Sequence, residues 1–138
     1  NAKYLEWKIW FEKLIPFFHK EVTLVGHSLG GIFLAKYLSV NKFPKKIRGV
    51  FLVAPPFDAK DSDYSLADFT LPKSLAKLQK QTGHIFLYHS QDDPVVPFAD
   101  LGKYQKHLST ARVRIFTNRQ HFNQATFPEI VKDIKSLF

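Results

Sequence analysis

Residues 22–33 read Val22-Thr23-Leu24-Val25-Gly26-His27-Ser28-Leu29-Gly30-Gly31-Ile32-Phe33. A short apolar run stops at a glycine, a tight glycine-rich turn follows, and apolar residues then recur at helical spacing. A strand that is apolar throughout, with no polar alternation, belongs inside a parallel sheet covered on both faces. Strand, turn and helix in that order point to an α/β fold, and the rest of the chain repeats the pattern.

Upstream, residues 4–18 read as an amphipathic helix. Trp7, Trp10, Phe11, Leu14 and Phe18 form the inward stripe, with Glu6, Lys8, Glu12 and Lys13 off it. Pro16 bends or ends its last turn. A strand is expected over 21–26 and a helix over 29–40, the latter facing inward through Ile32, Phe33, Ala35, Tyr37 and Leu38. The Val50-Phe51-Leu52-Val53 run marks a second strand over 47–54. After a Pro- and Asp-rich excursion at 55–72 come a helix near 73–81, a strand at 84–89 and a helix at 98–108. A strand at 112–117 and a closing helix at 127–138 complete the chain. Strands spaced by helices predict a mostly parallel sheet with helices on both faces and right-handed crossovers. No internal repeat interrupts this order.

The 138 residues suit a single domain over 1–138. With 45% apolar residues, 14 Phe, 5 Tyr and 2 Trp, a disordered or collagen-like chain is excluded. The absence of cysteine excludes disulfide scaffolds, thiolate zinc sites and thiol catalysis. No apolar run approaches the roughly 20 residues that span a bilayer, so no membrane partner and a cytoplasmic location are expected. Four aspartates (58, 61, 63, 68) against Lys60 between Pro55 and Pro72 make a local −3. That leaves +11 on the remainder of a chain whose total is +8. The densest basic group, Lys42, Lys45, Lys46 and Arg48, lacks the interleaved aromatics of a nucleic-acid reader, so no nucleic-acid partner is expected. The chain starts at Asn1 and has no methionine, which reads as the C-terminal portion of a longer chain.

The chemistry concentrates at Gly26-His27-Ser28-Leu29-Gly30, a G-x-S-x-G directly after a strand and directly before a helix. In that context the pattern is a nucleophile elbow: the turn lifts the Ser28 hydroxyl above the sheet, and side chains at 26 and 30 would strike backbone. The Leu29 N–H, in the first helical turn, can donate to a developing oxyanion. The alternative is a plain strand-to-helix turn in which Ser28 only caps the helix. A nucleophilic serine needs a base and the base an orienting acid, arriving here in the order Ser, acid, His. The third strand is followed by Ser90-Gln91-Asp92-Asp93-Pro94-Val95-Val96-Pro97, the fourth by Arg119-Gln120-His121-Phe122.

Pro94 biases Asp93 towards an extended backbone, which favours it as the acid, with Asp92 as the alternative. Of the six histidines only His121 has the right order and sheet edge; His89 reads as a buried structural residue at a strand end. His27 reads as packing or hydrogen-bonding support and, with Pro55, Phe57 and Phe122, is a candidate to line a substrate pocket. The excursion carrying Phe57, Tyr64, Leu66 and Phe69 is either a small lid or a solvated crossover. Phe17, Phe18, Phe33 and Phe51 read as core. No cofactor and no metal are expected.

Gly-His-Ser-Leu-Gly-Gly, then Asp-Asp-Pro-Val-Val-Pro, then His-Phe before a last helix resembles the α/β-hydrolase superfamily. More narrowly it is similar to the small serine hydrolases related to retinoblastoma-binding protein nine. The resemblance runs over nearly the whole chain and matches Ser28 to the nucleophile, Asp93 to the acid and His121 to the base. Ser90 and Gln120 stand where many members carry glycine. The resemblance implies an acyl-enzyme mechanism on a small carboxylic ester, thioester or amide. It also implies a second oxyanion donor from an earlier strand that has no counterpart among the residues before 21. Strand 22–25 would then be a bare sheet edge, covered by an N-terminal segment or by self-association, and the chain alone is expected to be a poor catalyst. The rival expectation is a catalytically weak, hydrolase-like protein-binding module.

Overall fold

A computed structural model describes residues 1–138. Helix α1 (Tyr4–Leu14) ends in a 3₁₀ turn at Ile15–Phe17 and leads into β1 (Glu21–His27). Then follow α2 (Leu29–Val40), β2 (Lys46–Val53), α3 (Ala76–Gln81), β3 (Ile85–Ser90), α4 (Ala99–His107), β4 (Arg112–Phe116) and α5 (Pro128–Lys135). The four strands are all parallel and lie in the order β1-β2-β3-β4. Every strand therefore ends at the same rim, where α/β folds gather their ligands. No helix is long and apolar enough to cross a membrane.

Alternation along the strands assigns the two faces. Leu24, Val50, Leu52, Ile85 and Leu87 point to the face covered by α1 to α4, where they join Ile32, Leu38, Leu78, Leu101 and Tyr104 in one buried core. Phe51, Val53, Phe86 and Tyr88 point to the other face, which α5 covers through Ile130. Phe51 and Phe86 stand opposite each other in register and stack at 4.7 Å with their planes 8° apart.

Helix α1 differs from its expected stripe. Trp7, Phe11 and Phe18 pack on the core, but Trp10 is 67% exposed and Leu14 49%. Tyr4, Phe11 and Ile15 set the buried line, and at about 100° per residue Trp10 sits roughly a quarter-turn or more away from it. Phe17, expected in the core, is 85% exposed, because the chain leaves the 3₁₀ turn at Phe18 in an extended conformation. Residues 54–75 form an ordered crossover without regular structure. Leu66 and Phe69 are buried, Phe57 packs edge-on against Tyr104, and Asp68 accepts the Tyr4 N–H at 2.8 Å. Strand β1 pairs only with β2, so it forms the sheet edge, and Val25 is half exposed there.

A polar knot fastens α5 to the sheet. Asp133 accepts the buried Tyr88 hydroxyl at 2.7 Å and the Arg114 fork at 3.1 and 2.9 Å. The Arg114 hydrogen bonds hold the Asp133 carboxyl below the ordinary carboxylate range, and burial together with Asp133 pushes the Tyr88 phenol up. Asp133→Ala strands the Tyr88 hydroxyl without an acceptor, an expected loss of about 1–3 kcal/mol. Urea unfolding should show a lower midpoint at unchanged slope. Because the folded value is depressed, this stabilisation is present above about pH 4, the ordinary carboxylate value. It is lost as pH falls through the lowered folded value, so the variant should show a shallower acid decline than the parent.

Candidate active site

Four segments meet at the rim: the β1–α2 turn, the loop after β3, the loop after β4 and part of the crossover. The β1–α2 turn is very tight. A Cβ on Gly26 would lie 2.5 Å from the Gly30 carbonyl oxygen and 2.8 Å from the Gly31 Cα, so only glycine fits. Gly30 differs from expectation: a Cβ there meets nothing within 4 Å. The second crowded position is Gly31, where a Cβ would sit 2.8 Å from Pro55 Cβ and 3.2 Å from the Gly26 carbonyl oxygen. The crossover leaving β2 presses on the first turn of α2, which places Pro55 beneath that helix rather than at a substrate.

Ser28 sits at the apex with φ 54° and ψ −118°, a left-handed conformation that costs a non-glycine residue of order 1–3 kcal/mol. Its N–H is tied to the Val53 carbonyl at 2.8 Å. Its side chain makes no capping bond to α2. Instead the hydroxyl lies 2.9 Å from His121 Nε2. Leu29 opens α2, so its N–H belongs to the turn that helical geometry leaves without an acceptor.

His121 is buried, and its Nδ1 lies 2.9 Å from Asp93 Oδ2. A carboxylate only accepts, so Nδ1 carries the proton and Nε2 is free to take one from the Ser28 hydroxyl. Gln120 and Phe122, on either side, have φ of 51° and 57°. A positive φ strains a glutamine backbone, so Gln120 needs support. The support is Asp92, whose Oδ1 accepts the Gln120 N–H at 2.9 Å and the Ser90 hydroxyl at 2.5 Å. Ser90 Oγ in turn accepts the Arg119 N–H at 3.0 Å. The Ser90 hydroxyl keeps the Asp92 carboxyl below its ordinary value. The two aspartates thus divide their work: Asp92 clamps the loop that carries His121, and Asp93 faces the imidazole. Arg119 also forks onto Glu129, fastening the same loop to α5.

The Asp93 side chain is fully buried. Its Oδ1 accepts the Val95 and Val96 N–H groups at 2.8 and 3.0 Å. Its Oδ2 faces His121 Nδ1 and, at 3.2 Å, His89 Nε2. Four donors on one buried carboxylate match what an ionised acid requires away from water.

A hollow of about 220 Å³ adjoins Ser28, lined by Leu29, Pro56, Tyr64, Leu66, Val95 and Val96 with Ser65 at its edge. None of the four expected lining residues borders this hollow, although Phe57 lines a neighbouring one that shares Ser65 and Leu66 with it. His27 Nε2 bonds the His121 carbonyl at 2.7 Å, Pro55 backs onto Gly31, Phe57 packs on Tyr104 and His107, and Phe122 packs on Phe116 and Phe127. Tyr104 holds one wall of this hollow by donating its hydroxyl to the Pro56 carbonyl at 2.8 Å. No group of three His, Asp or Glu side chains gathers with the spacing to hold a metal ion.

The profile of a family described as Serine hydrolase matches residues 1–130. Serine hydrolase RBBP9 of Rattus norvegicus is 27% identical over 131 residues, spanning 89% of this chain and 68% of that one. Among solved structures, the ydeN gene product of B. subtilis superposes with a TM-score of 0.87 at 20% identity, covering 99% of this chain and 76% of its own. A carboxylesterase of the thaumarchaeon Nitrososphaera gargenis gives 0.70 at 13% identity, covering 99% and 73%. At these identities the two structures speak for the fold, which is that of the α/β hydrolases.

The glycines provide a test of the turn. Gly26→Ala meets rigid backbone and should melt about 10 °C or more below the parent, or fail to fold. Gly31→Ala should also melt lower, whereas Gly30→Ala should melt with the parent. Circular-dichroism melts of the three variants read this order directly.

Proposed function

The chain belongs to the serine hydrolase family, and on that premise we propose that Ser28, His121 and Asp93 perform its acyl transfer. The observation that carries this reading is the unbroken run from Ser28 Oγ to His121 Nε2 and from His121 Nδ1 to Asp93 Oδ2, each step 2.9 Å. Ser28 Oγ attacks the substrate carbonyl as its proton passes to Nε2. Asp93 holds the tautomer and balances the imidazolium that forms. The Leu29 N–H faces the oxygen that becomes negative, with the first turn of α2 behind it. Collapse of the tetrahedral species breaks the bond to the leaving group, which takes the proton from Nε2. A water molecule then gives its proton to His121 and attacks the acyl carbonyl, releasing the acid and restoring the Ser28 hydroxyl.

The hollow beside Ser28 supports a choice of substrate class. About 220 Å³ with mainly apolar walls is below the size of drug-scale pockets. It suits a short, uncharged acyl group, so the proposed substrates are small carboxylic esters, with thioesters and amides of the same acyl size as the wider class. Val96 and Leu66 are buried in the wall, and Tyr104 pins Pro56.

A fluorophosphonate probe should label Ser28, with the modified peptide read by mass spectrometry. Ser28→Ala should abolish labelling, and His121→Ala should slow it by about 10²-fold or more. In a p-nitrophenyl ester series, kcat/KM should be highest for short acyl chains, and Leu66→Ala should shift the preference to longer ones. Labelling that persists in Ser28→Ala removes the assignment.

A further inference from the structure

Behind the carboxylate that faces His121 stands a second imidazole. His89 follows Leu87 on the helix-rich face of β3 and is fully buried, with Phe98 edge-on to its ring at 5.6 Å. Its Nε2 lies 3.2 Å from Asp93 Oδ2 and 3.2 Å from the Val96 carbonyl oxygen. Both neighbours are acceptors, so Nε2 must carry a proton. Its Nδ1 is buried with no hydrogen-bond partner. A proton on Nδ1 would be a donor buried without an acceptor, whereas a bare nitrogen leaves only a lone pair unmatched. The geometry therefore admits one form of this ring, neutral and protonated on Nε2 alone.

We propose that His89 is a positioning residue for the active site: a neutral imidazole whose single N–H aims Asp93 Oδ2 at His121. This inference rests on the reading of Ser28, His121 and Asp93 as the reacting group. Asp93 Oδ1 is already held by two backbone N–H groups of its own loop. Those bonds leave the carboxylate free to pivot about the Oδ1 side. His89 stops that pivot from the sheet side, and its bond to the Val96 carbonyl fastens the same loop a second time. An uncharged donor does this without adding a positive charge that would compete with the His121 imidazolium for the carboxylate. Burial supports the neutral form by pushing the His89 pKa down, against the opposing pull of Asp93 and, more weakly, Asp100.

Nitrogen-15 NMR of the unaltered protein at pH 7 tests the tautomer without reference to activity. The His89 ring should show one protonated nitrogen, Nε2, and one bare nitrogen, Nδ1; an Nδ1–H tautomer or an imidazolium overturns the proposal. Steady-state hydrolysis of p-nitrophenyl butyrate tests the positioning. His89→Leu keeps an apolar side chain in the space but removes the donor, and should lower kcat about 10–100-fold with KM held, the scale of one hydrogen bond to a charged group. His89→Gln places an amide N–H near the Nε2 position and should recover most of that loss. Equal impairment of both variants means packing alone, and parental rates in both mean no role; either result overturns the proposal. A Ser28→Ala protein that still turns over ester would instead overturn the proposed function, while the NMR result would still decide the state of His89. If His89→Leu does not fold, the NMR result and the His89→Gln rates decide.

Discussion

The close approach of backbone to backbone at the end of β1 is the constraint from which the rest is built. Gly26 lies against Gly30 and Gly31 with no room for a Cβ, and Pro55 closes on Gly31 from the next crossover. Ser28 is forced into a left-handed conformation in the gap, held by its N–H bond to Val53. A serine in relaxed backbone would turn its hydroxyl back onto the helix as a cap. The strained turn directs that hydroxyl to the rim, where the loops after β3 and β4 come to meet it. Parallel pairing makes the meeting possible, since it places every strand's C-terminal end on one side.

The second constraint is the burial of charge. A carboxylate shut away from water must have its oxygens filled, and Asp93 meets this with donors from its own loop, from β3 and from the loop after β4. Asp92 faces water and does a different task, bridging Ser90 and Gln120 so that the acid loop and the histidine loop hold each other. Ser90 and Gln120 thereby form one compensating unit. A side chain at position 120 strains the backbone, and a serine at 90 with an aspartate at 92 supplies the bonds that hold the strained segment.

Much of this was legible in the amino-acid order. The β2 run and the strict helical spacing in α2 mark their elements to within a residue or so, because burial on both faces leaves no polar alternation to confuse. That Ser28, Asp93 and His121 come to one rim is legible because each follows a strand. Other features depend on contacts between distant segments. The spacing of α1 shows the width of its stripe but not its centre, which is why Trp10 and Leu14 read as inward although Tyr4 and Ile15 set the line. The crossover at 54–75 has no period, so nothing in it separates Tyr64 and Leu66, which line the hollow, from Pro55 and Phe57, which do not. Which glycine of the pair after Ser28 is crowded depends on where Pro55 lands. The role of His89 shows only once Asp93 has turned to meet it, although a histidine near the end of a buried strand is itself an unusual signal.

The cradle of Asp93 has a property that reaches beyond this molecule. Apart from the partner it serves, every group that grips the carboxylate comes from the eight consecutive positions 89–96, across one strand end and one turn. Such a segment is nearly autonomous: it carries its own acid, its own donors and its own bend. Transplanted onto the end of another buried parallel strand, it would bring a preorganised carboxylate with it. A buried carboxylate of this kind moves between scaffolds as a cassette rather than being rebuilt atom by atom.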